Sequence, residues 1–127
     1  MAAIIFDFDG TIADSLDYFI NFIADEAGLA PLTKKEKQDL SGLSLAGISR
    51  KLGHPWWRLP FLYFKGRRIM EPYIKDLEPF KGMPEVIKKL HAEGHELFII
   101  SSNTVRNMRT FLRKQHLRTS FLQINGG

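Results

Sequence analysis

The chain has 127 residues, of which 44% are hydrophobic and 12% aromatic, and this composition indicates one globular domain of ordinary size. It contains no cysteine and no apolar run near the roughly 20 residues of a membrane span, so we expect neither disulfides nor a membrane partner, and the cytoplasm as the default location. The net charge of +4, from 18 basic and 14 acidic residues, is too small to indicate a nucleic-acid partner, although it would help to attract anionic substrates.

The N-terminal stretch carries the strongest chemical signal. An apolar run over residues 2–6 predicts a strand of the kind that is buried on both faces. Asp7 and Asp9 follow it, and Gly10 then allows a turn. Open α/β folds bind ligands at the carboxyl ends of their strands, and carboxylates are costly to bury without a partner. The pattern therefore predicts a cation site, a phosphate site or a reactive role, with a solvated strand end as the alternative.

The segment after this turn predicts a block of helices. Residues 14–27 place apolar side chains at helical spacing, and Gly28 stands where a C-cap glycine belongs. Thr33 and Glu36 form a capping box for a second, short helix, and Ser44 can cap a third.

The segment 56–76 is helix-like but irregular, and it interleaves aromatic with basic side chains. A nucleic-acid surface is conceivable for such a pattern. Composition favours instead a helix with aromatic core contacts and a solvated basic face. The four histidines of the chain have no mutual ligand spacing, so we interpret them as surface or structural residues.

The second half of the chain predicts alternating helices and strands, at residues 85–93, 96–100, 105–115 and 121–124. Ser101, Ser102 and Asn103 lie between a predicted buried strand and the next helix. A hydroxyl group at that place can hydrogen-bond a phosphoryl oxygen, and the helix N-terminus would add to the binding. An ordinary strand-to-helix turn with an N-cap is the alternative.

Strands near both ends, with a helical block between them, predict an α/β core with a helical insertion after the first strand. The sequence Asp-Phe-Asp-Gly-Thr at residues 7–11, followed by Asp14 and Ser15 at a helix start, resembles the first motif of the haloacid dehalogenase superfamily. The resemblance implies a Rossmann-like parallel-sheet core made of residues 1–14 and 79–127. It also implies an α-helical cap at residues 15–78, inserted after the first strand.

The resemblance further implies a phosphatase mechanism that acts on small phosphorylated metabolites. Asp7 would be the nucleophile that forms an aspartyl-phosphate, and Asp9 would be the general acid and then the base that activates water. Mg²⁺ would bridge Asp7, the Asp9 carbonyl and the phosphate. The implied phosphate-binding residues, from the first and second motifs, are Gly10, Thr11, Ser101, Ser102 and Asn103.

The superfamily has two further motifs, a lysine and an acidic pair that completes the Mg²⁺ site, and the chain reaches Gly127 before either. We therefore expect an incomplete core in this chain, with slow hydrolysis or none, because lost electrostatic donors cost large factors in rate. A noncatalytic module that binds an anion or a partner is the alternative. A haloacid dehalogenase is less favoured, because that chemistry does not use the second carboxylate, Asp9.

The resemblance also implies an exposed first strand. In the superfamily the C-terminal strands lie beside the first strand, so residues 3–8 would become an apolar edge where those strands are absent. Such an edge is a template for pairing with another chain. We therefore expect self-association through the first strand.

Overall fold

The computed structural model describes residues 1–127. The chain divides into two compact units, one made of Met1–Ser15 and Met70–Gly127 and the other of Leu16–Ile69. The assignment of residues 15–78 to a cap stays a prediction. None of the helices has the length and apolar content that a membrane crossing requires.

The first unit contains a three-stranded parallel sheet in the order β1 (Ala3–Phe6), β2 (Glu96–Ile100) and β3 (Gln123–Asn125). The register pairs Phe6 with Ile99 and Ile99 with Ile124. Parallel strands bring their carboxyl ends to the same edge of a sheet, which places the residues after β1 and β2 close together. The predicted Rossmann-like α/β fold is confirmed.

The chain contains six α-helices: α1 (Leu16–Glu26), α2 (Lys34–Leu40), α3 (Leu45–Lys51), α4 (Leu59–Met70), α5 (Met83–Ala92) and α6 (Val105–Lys114). Short 3₁₀ helices occupy Trp56–Arg58, Glu71–Asp76 and Arg118–Ser120. The predicted helices and strands agree with these bounds to within about two residues, which is the usual uncertainty of helix ends.

The core of the first unit includes fully buried apolar side chains from β2, α5 and α6: Ile87, Leu97, Ile99, Met108, Phe111 and Leu112. Each such side chain contributes about 1.5–3 kcal/mol when it leaves water. Because the central strand β2 and the helix α6 each supply fully buried side chains to this core, the loop that joins them is anchored at both ends.

Strand β1 lies at an edge of the sheet, where it pairs with β2 alone. The side chain of Ile5 is 62% exposed, so the prediction that this strand is buried on both faces was wrong. An apolar run cannot distinguish a doubly buried strand from an edge strand, because that difference depends on which elements cover it. The expectation that β1 forms an edge is confirmed.

An exposed apolar edge predicts self-association of the 127-residue chain. Replacing Ile5 by lysine should shift the chain toward monomer, because a charge on an edge strand opposes pairing with another chain. The measurement is light scattering at micromolar concentration. Val86→Lys is the matched control, because Val86 is 47% exposed on α5, and it should leave association unchanged. A wild-type chain that is already monomeric would contradict the prediction.

The second unit packs four helices around a core of buried side chains: Ile20, Phe22, Ile23, Leu40, Ile48 and Leu62. The predicted caps are confirmed. Thr33 and Glu36 form a reciprocal capping box at α2, and the Ser44 hydroxyl accepts from the Gly47 N–H at 3.1 Å. The hydrogen bonds from the Thr33 backbone and hydroxyl hold the pKa of the exposed Glu36 carboxyl below its usual value.

The segment 56–76 differs from its prediction of aromatic side chains in the core. Trp56 is 81% and Trp57 is 65% exposed, so these aromatic rings do not make the expected core contacts. Gly66 is buried in α4, where an added Cβ atom would lie 3.1 Å from the Phe22 ring. A glycine that weakens the helical pattern in the sequence thus allows close packing of α4 on α1. The buried His54 is structural, as predicted, since its Nε2 lies 2.9 Å from the Ile23 carbonyl oxygen.

Candidate functional site

The loop after β1 is folded around the backbone of Phe8. The Phe8 carbonyl oxygen accepts the N–H groups of Thr11, Ile12 and Ala13, at 3.2, 3.0 and 3.1 Å. Gly10 has a φ of +76°, which favours glycine, and its N–H donates to the Ala13 carbonyl at 3.0 Å. The turn is therefore closed by its own backbone, and Asp7 and Asp9 project from a fixed frame.

The side chain between the two carboxylates anchors this frame. Phe8 is fully buried, and its ring packs edge to face on Phe111 of α6, with the ring centroids 5.2 Å apart. Asp7 is exposed, and its Oδ1 accepts the Phe8 N–H at 2.7 Å. An exposed carboxylate beside a buried anchor is both accessible and well positioned, as an attacking group must be.

The carboxylate of Asp9 is held at both oxygens. Ser15 Oγ donates to its Oδ1 at 2.9 Å, and Asn103 Nδ2 donates to its Oδ2 at 3.0 Å. Ser15 is 1% exposed and Asn103 is fully buried. The contact between Asn103 and Asp9 joins the loop after β2 to the loop after β1.

The loop after β2 leads into the N-terminus of α6. Ser101 Oγ accepts the Asn103 N–H at 3.1 Å and retains its own hydrogen to donate to a ligand. The Thr104 hydroxyl caps α6 by accepting the Asn107 N–H at 3.1 Å. Ser102 is exposed beside them. Hydroxyl groups beside a capped helix N-terminus form a surface that suits an anion.

A family model described as haloacid dehalogenase-like hydrolase matches residues 4–127. The chain belongs to the haloacid dehalogenase-like hydrolase family. The match includes both loops of the candidate site, so the resemblance inferred from residues 7–11 is confirmed at the level of the family.

Known proteins agree with this membership. A phosphoglycolate phosphatase of Synechococcus elongatus is 32% identical over 130 residues, which cover all of this chain and 61% of that protein. A haloacid dehalogenase-like hydrolase structure from Streptococcus pneumoniae has a TM-score of 0.68 at 19% identity, over 98% of this chain and 60% of its own. A hydrolase structure from Pseudomonas syringae has a TM-score of 0.61 at 21% identity, over 99% of this chain and 60% of its own. These structural likenesses support the fold, and the chain spans about three fifths of each relative.

The structure brings all seven predicted site residues to one edge of the sheet. Asp7, Asp9, Gly10 and Thr11 follow β1, and the segment 101–103 follows the adjacent parallel strand β2. The N–H groups of Gly10 and Thr11 are hydrogen-bonded within the turn. The roles predicted for these residues stay predictions.

Two residues that contact Asp9 or its partner Asn103 were not predicted as part of the site. Ser15 was noted only at a helix start, and Asn107 lies on α6, where its Nδ2 donates to Asn103 Oδ1 at 3.2 Å. The spacing of Asn103 and Asn107, four residues across a helix N-terminus, is the only sequence signal of this contact. The contact of Ser15 with Asp9 depends on the turn between them, which the motif does not specify.

No group of three or more histidine, cysteine or acidic side chains comes together in the structure. The oxygen donors offered by Asp7 and Asp9 are nevertheless of the hard type that Mg²⁺ prefers, and Mg²⁺ commonly keeps several waters. Because the Asp9 carboxylate is bound by Ser15 and Asn103, its backbone carbonyl is the better-suited donor. The chemistry of the residues present therefore fits a hydrated Mg²⁺ ion.

The end of β3 packs tightly against the loop after β2. A Cβ atom on Gly126 would lie 2.7 Å from the Asn103 carbonyl oxygen and 2.8 Å from the Val105 backbone nitrogen. Gly126→Ala should therefore displace the loop and destabilise the first unit by about 1–3 kcal/mol, as overpacking does. Thermal unfolding measures the loss of stability, and the NMR chemical shifts of the amide groups of residues 101–105 report the displacement of the loop.

Gly42→Ala is the matched control for this substitution, because a Cβ atom on Gly42 would meet nothing within 4 Å. That control should change stability by no more than about 0.5 kcal/mol. Equal behaviour of the two alanine variants would show that the close approach at Gly126 does not fix the loop.

Proposed function

We propose that this chain supplies the nucleophile and the acid–base group of a phosphatase that acts through an aspartyl-phosphate. One observation carries the proposal: the carboxylate loop after β1 and the hydroxyl loop after β2 meet at one edge of the sheet, joined by the 3.0 Å contact between Asn103 Nδ2 and Asp9 Oδ2. A carboxylate nucleophile, a second carboxylate and anion-binding donors are the parts that such a reaction needs.

In the proposed reaction Asp7 attacks phosphorus. Its carboxylate oxygen forms the new P–O bond, the bond to the leaving oxygen breaks, and protonated Asp9 gives that oxygen its proton. Asp9, now ionised, takes a proton from water as the water attacks the acyl phosphate. Inorganic phosphate leaves and the Asp7 carboxylate is restored. The exposure of Asp7 and the double anchoring of Asp9 support this division of roles.

The loop after β2 is proposed to bind the phosphoryl oxygens. Ser101 and Ser102 offer hydroxyl groups beside the N-terminus of the ten-residue helix α6. Gly10 and Thr11 would shape the other wall of the same site. The Asp7 carboxylate and the Asp9 carbonyl would hold Mg²⁺. When bound, that ion would lower the charge repulsion between Asp7 and the phosphoryl group.

The substrate class that we propose is small phosphorylated metabolites. The support is the 32% identity to a protein named phosphoglycolate phosphatase, of which this chain spans 61%. The absence of a nucleic-acid partner and the cytoplasmic location stay predictions from the sequence.

The test is a hydrolysis panel with the protein at its natural length, with Mg²⁺ and with a chelator. We expect phosphate release from 2-phosphoglycolate and from an aryl phosphate, and loss of this release in the chelator. Halide release from a 2-haloacid, without phosphate release, would replace the proposal by a dehalogenase. Binding of phosphate without turnover of any ester would favour the noncatalytic alternative.

A further inference from the structure

We infer that Asn103 and Asn107 form a buried amide relay that positions the Asp9 carboxylate for proton transfer. The inference deepens the proposed function and rests on it. It assigns Asn103 a positioning role through Asp9, whereas the sequence alone placed this residue in the phosphate site.

The contacts of Asn103 fix the direction of its amide group. Its Oδ1 accepts two N–H groups, from the Thr104 backbone at 2.7 Å and from Asn107 Nδ2 at 3.2 Å. The reversed amide would place its NH₂ group against these donors and its oxygen against a carboxylate oxygen. The nitrogen must therefore face Asp9, and the relay presents a donor to that carboxylate.

Both residues of the relay are shielded from water, and Asn103 has no polar group left to bind substrate. Asn103 is fully buried and Asn107 is 3% exposed. Asn103 Nδ2 also lies 3.6 Å from Met70 Sδ, so the NH₂ group has two protein neighbours. Hydrogen bonds in such surroundings are stronger than in water, and an unmade one is costly.

Helix α6 connects the relay to the turn that carries the two carboxylates. Asn107 stands in its first turn, where its backbone N–H reaches the Thr104 hydroxyl, and Phe111 one turn later packs on Phe8. The same helix thus anchors the backbone between the carboxylates and the amide that holds Asp9. Ser15 Oγ bonds the other oxygen, Oδ1. Rotation of the Asp9 carboxylate would break a partly buried hydrogen bond on each side.

The relay predicts a specific kinetic signature, because a displaced Asp9 impairs proton donation to the leaving oxygen. Leaving groups of low basicity need no proton, whereas alkoxides do. Asn103→Ala should therefore lower kcat/KM for an alkyl phosphate about 10- to 100-fold, and much less for 2,4-dinitrophenyl phosphate. The parameter kcat/KM is chosen because it reports the steps up to formation of the acyl phosphate.

Two further variants keep the test decisive if Asn103→Ala does not fold. Asn103→Asp retains the shape but places an acceptor against Asp9, and Asn107→Leu removes the outer donor of the relay, Asn107 Nδ2. Both should show the same dependence on the leaving group, with a smaller loss in Asn107→Leu. Asn21→Ala is the control, because Asn21 is exposed on α1, and it should leave both substrates unchanged. Equal losses for the two substrates would overturn the inference.

A second readout does not require activity, so that failure of the relay and failure of the proposed function can be told apart. The Asn103 side-chain NH₂ protons should exchange slowly in NMR spectra of the wild type. They should exchange faster in Asp9→Ala and not in Asp14→Ala, which removes an exposed acid from the same segment. If no phosphate ester is hydrolysed, the proposed function fails, whereas unchanged exchange in Asp9→Ala overturns the relay itself.

Discussion

Asp7→Asn is expected to reduce phosphate-ester hydrolysis to the background rate, a loss of about 10³-fold or more. An amide oxygen is a poor nucleophile toward phosphorus, and no acyl phosphate of the required kind can form on it. Stability should change little, because Asp7 is exposed. The measurement is the steady-state rate with an aryl phosphate in the natural-length protein, together with its melting temperature.

Two further variants serve as a comparison and a control for Asp7→Asn. Asp9→Asn should cost about 10²–10⁴-fold, since it removes proton transfer but leaves the nucleophile. Asp14→Asn is the matched control, because Asp14 is an exposed acid of the same segment outside the proposed chemistry, and its activity should be normal. Substantial turnover by Asp7→Asn would remove Asp7 as the nucleophile.

Phe8→Ala is expected to have the largest effect on stability, a loss of about 3–5 kcal/mol in the free energy of unfolding. Phe8 is fully buried, and its ring meets Phe111 at 5.2 Å in an edge-to-face arrangement. Truncation leaves a cavity directly under the turn that carries the two carboxylates. Chemical denaturation measures the change.

A double-mutant cycle with Phe111→Ala should give a coupling energy of about 0.5–1.5 kcal/mol between the two rings. Phe64→Ala is the control, because Phe64 is 69% exposed, and it should change stability by no more than about 0.5 kcal/mol. Losses of similar size in Phe8→Ala and Phe64→Ala would show that Phe8 does not anchor the turn.

Local signals in the sequence predicted the parts of the fold that depend on neighbouring residues. The capping box of Thr33 and Glu36 and the Ser44 cap were predicted because each is made by residues three apart. The α/β class of the core was predicted because helices alternate with apolar runs along the sequence. The exposure of Trp56 could not be predicted, because it depends on which elements pack beside it in space, whereas the exposure of the first strand was expected from the family resemblance alone.

In the candidate site, too, the sequence predicted what neighbouring residues determine and missed the contacts between distant residues. The motif predicted Asp7 and Asp9 at the end of a strand, since the apolar run and the glycine turn are contiguous with them. The partners of the Asp9 carboxylate were missed, because Asn103 is 94 residues away along the chain. A sequence motif names the candidate reacting groups of such a site, while the contacts that orient them come from the tertiary fold.

The most direct test of the proposed mechanism is to trap the aspartyl-phosphate intermediate. The natural-length protein is mixed with an aryl phosphate, quenched in acid and treated with borohydride, which reduces an acyl phosphate to an alcohol. Peptide mass spectrometry then locates the reduced residue. The proposed mechanism predicts homoserine at position 7 alone and none in Asp7→Asn. Reduction at another carboxylate, or phosphate release with an unmodified Asp7 under the same quench, would contradict it.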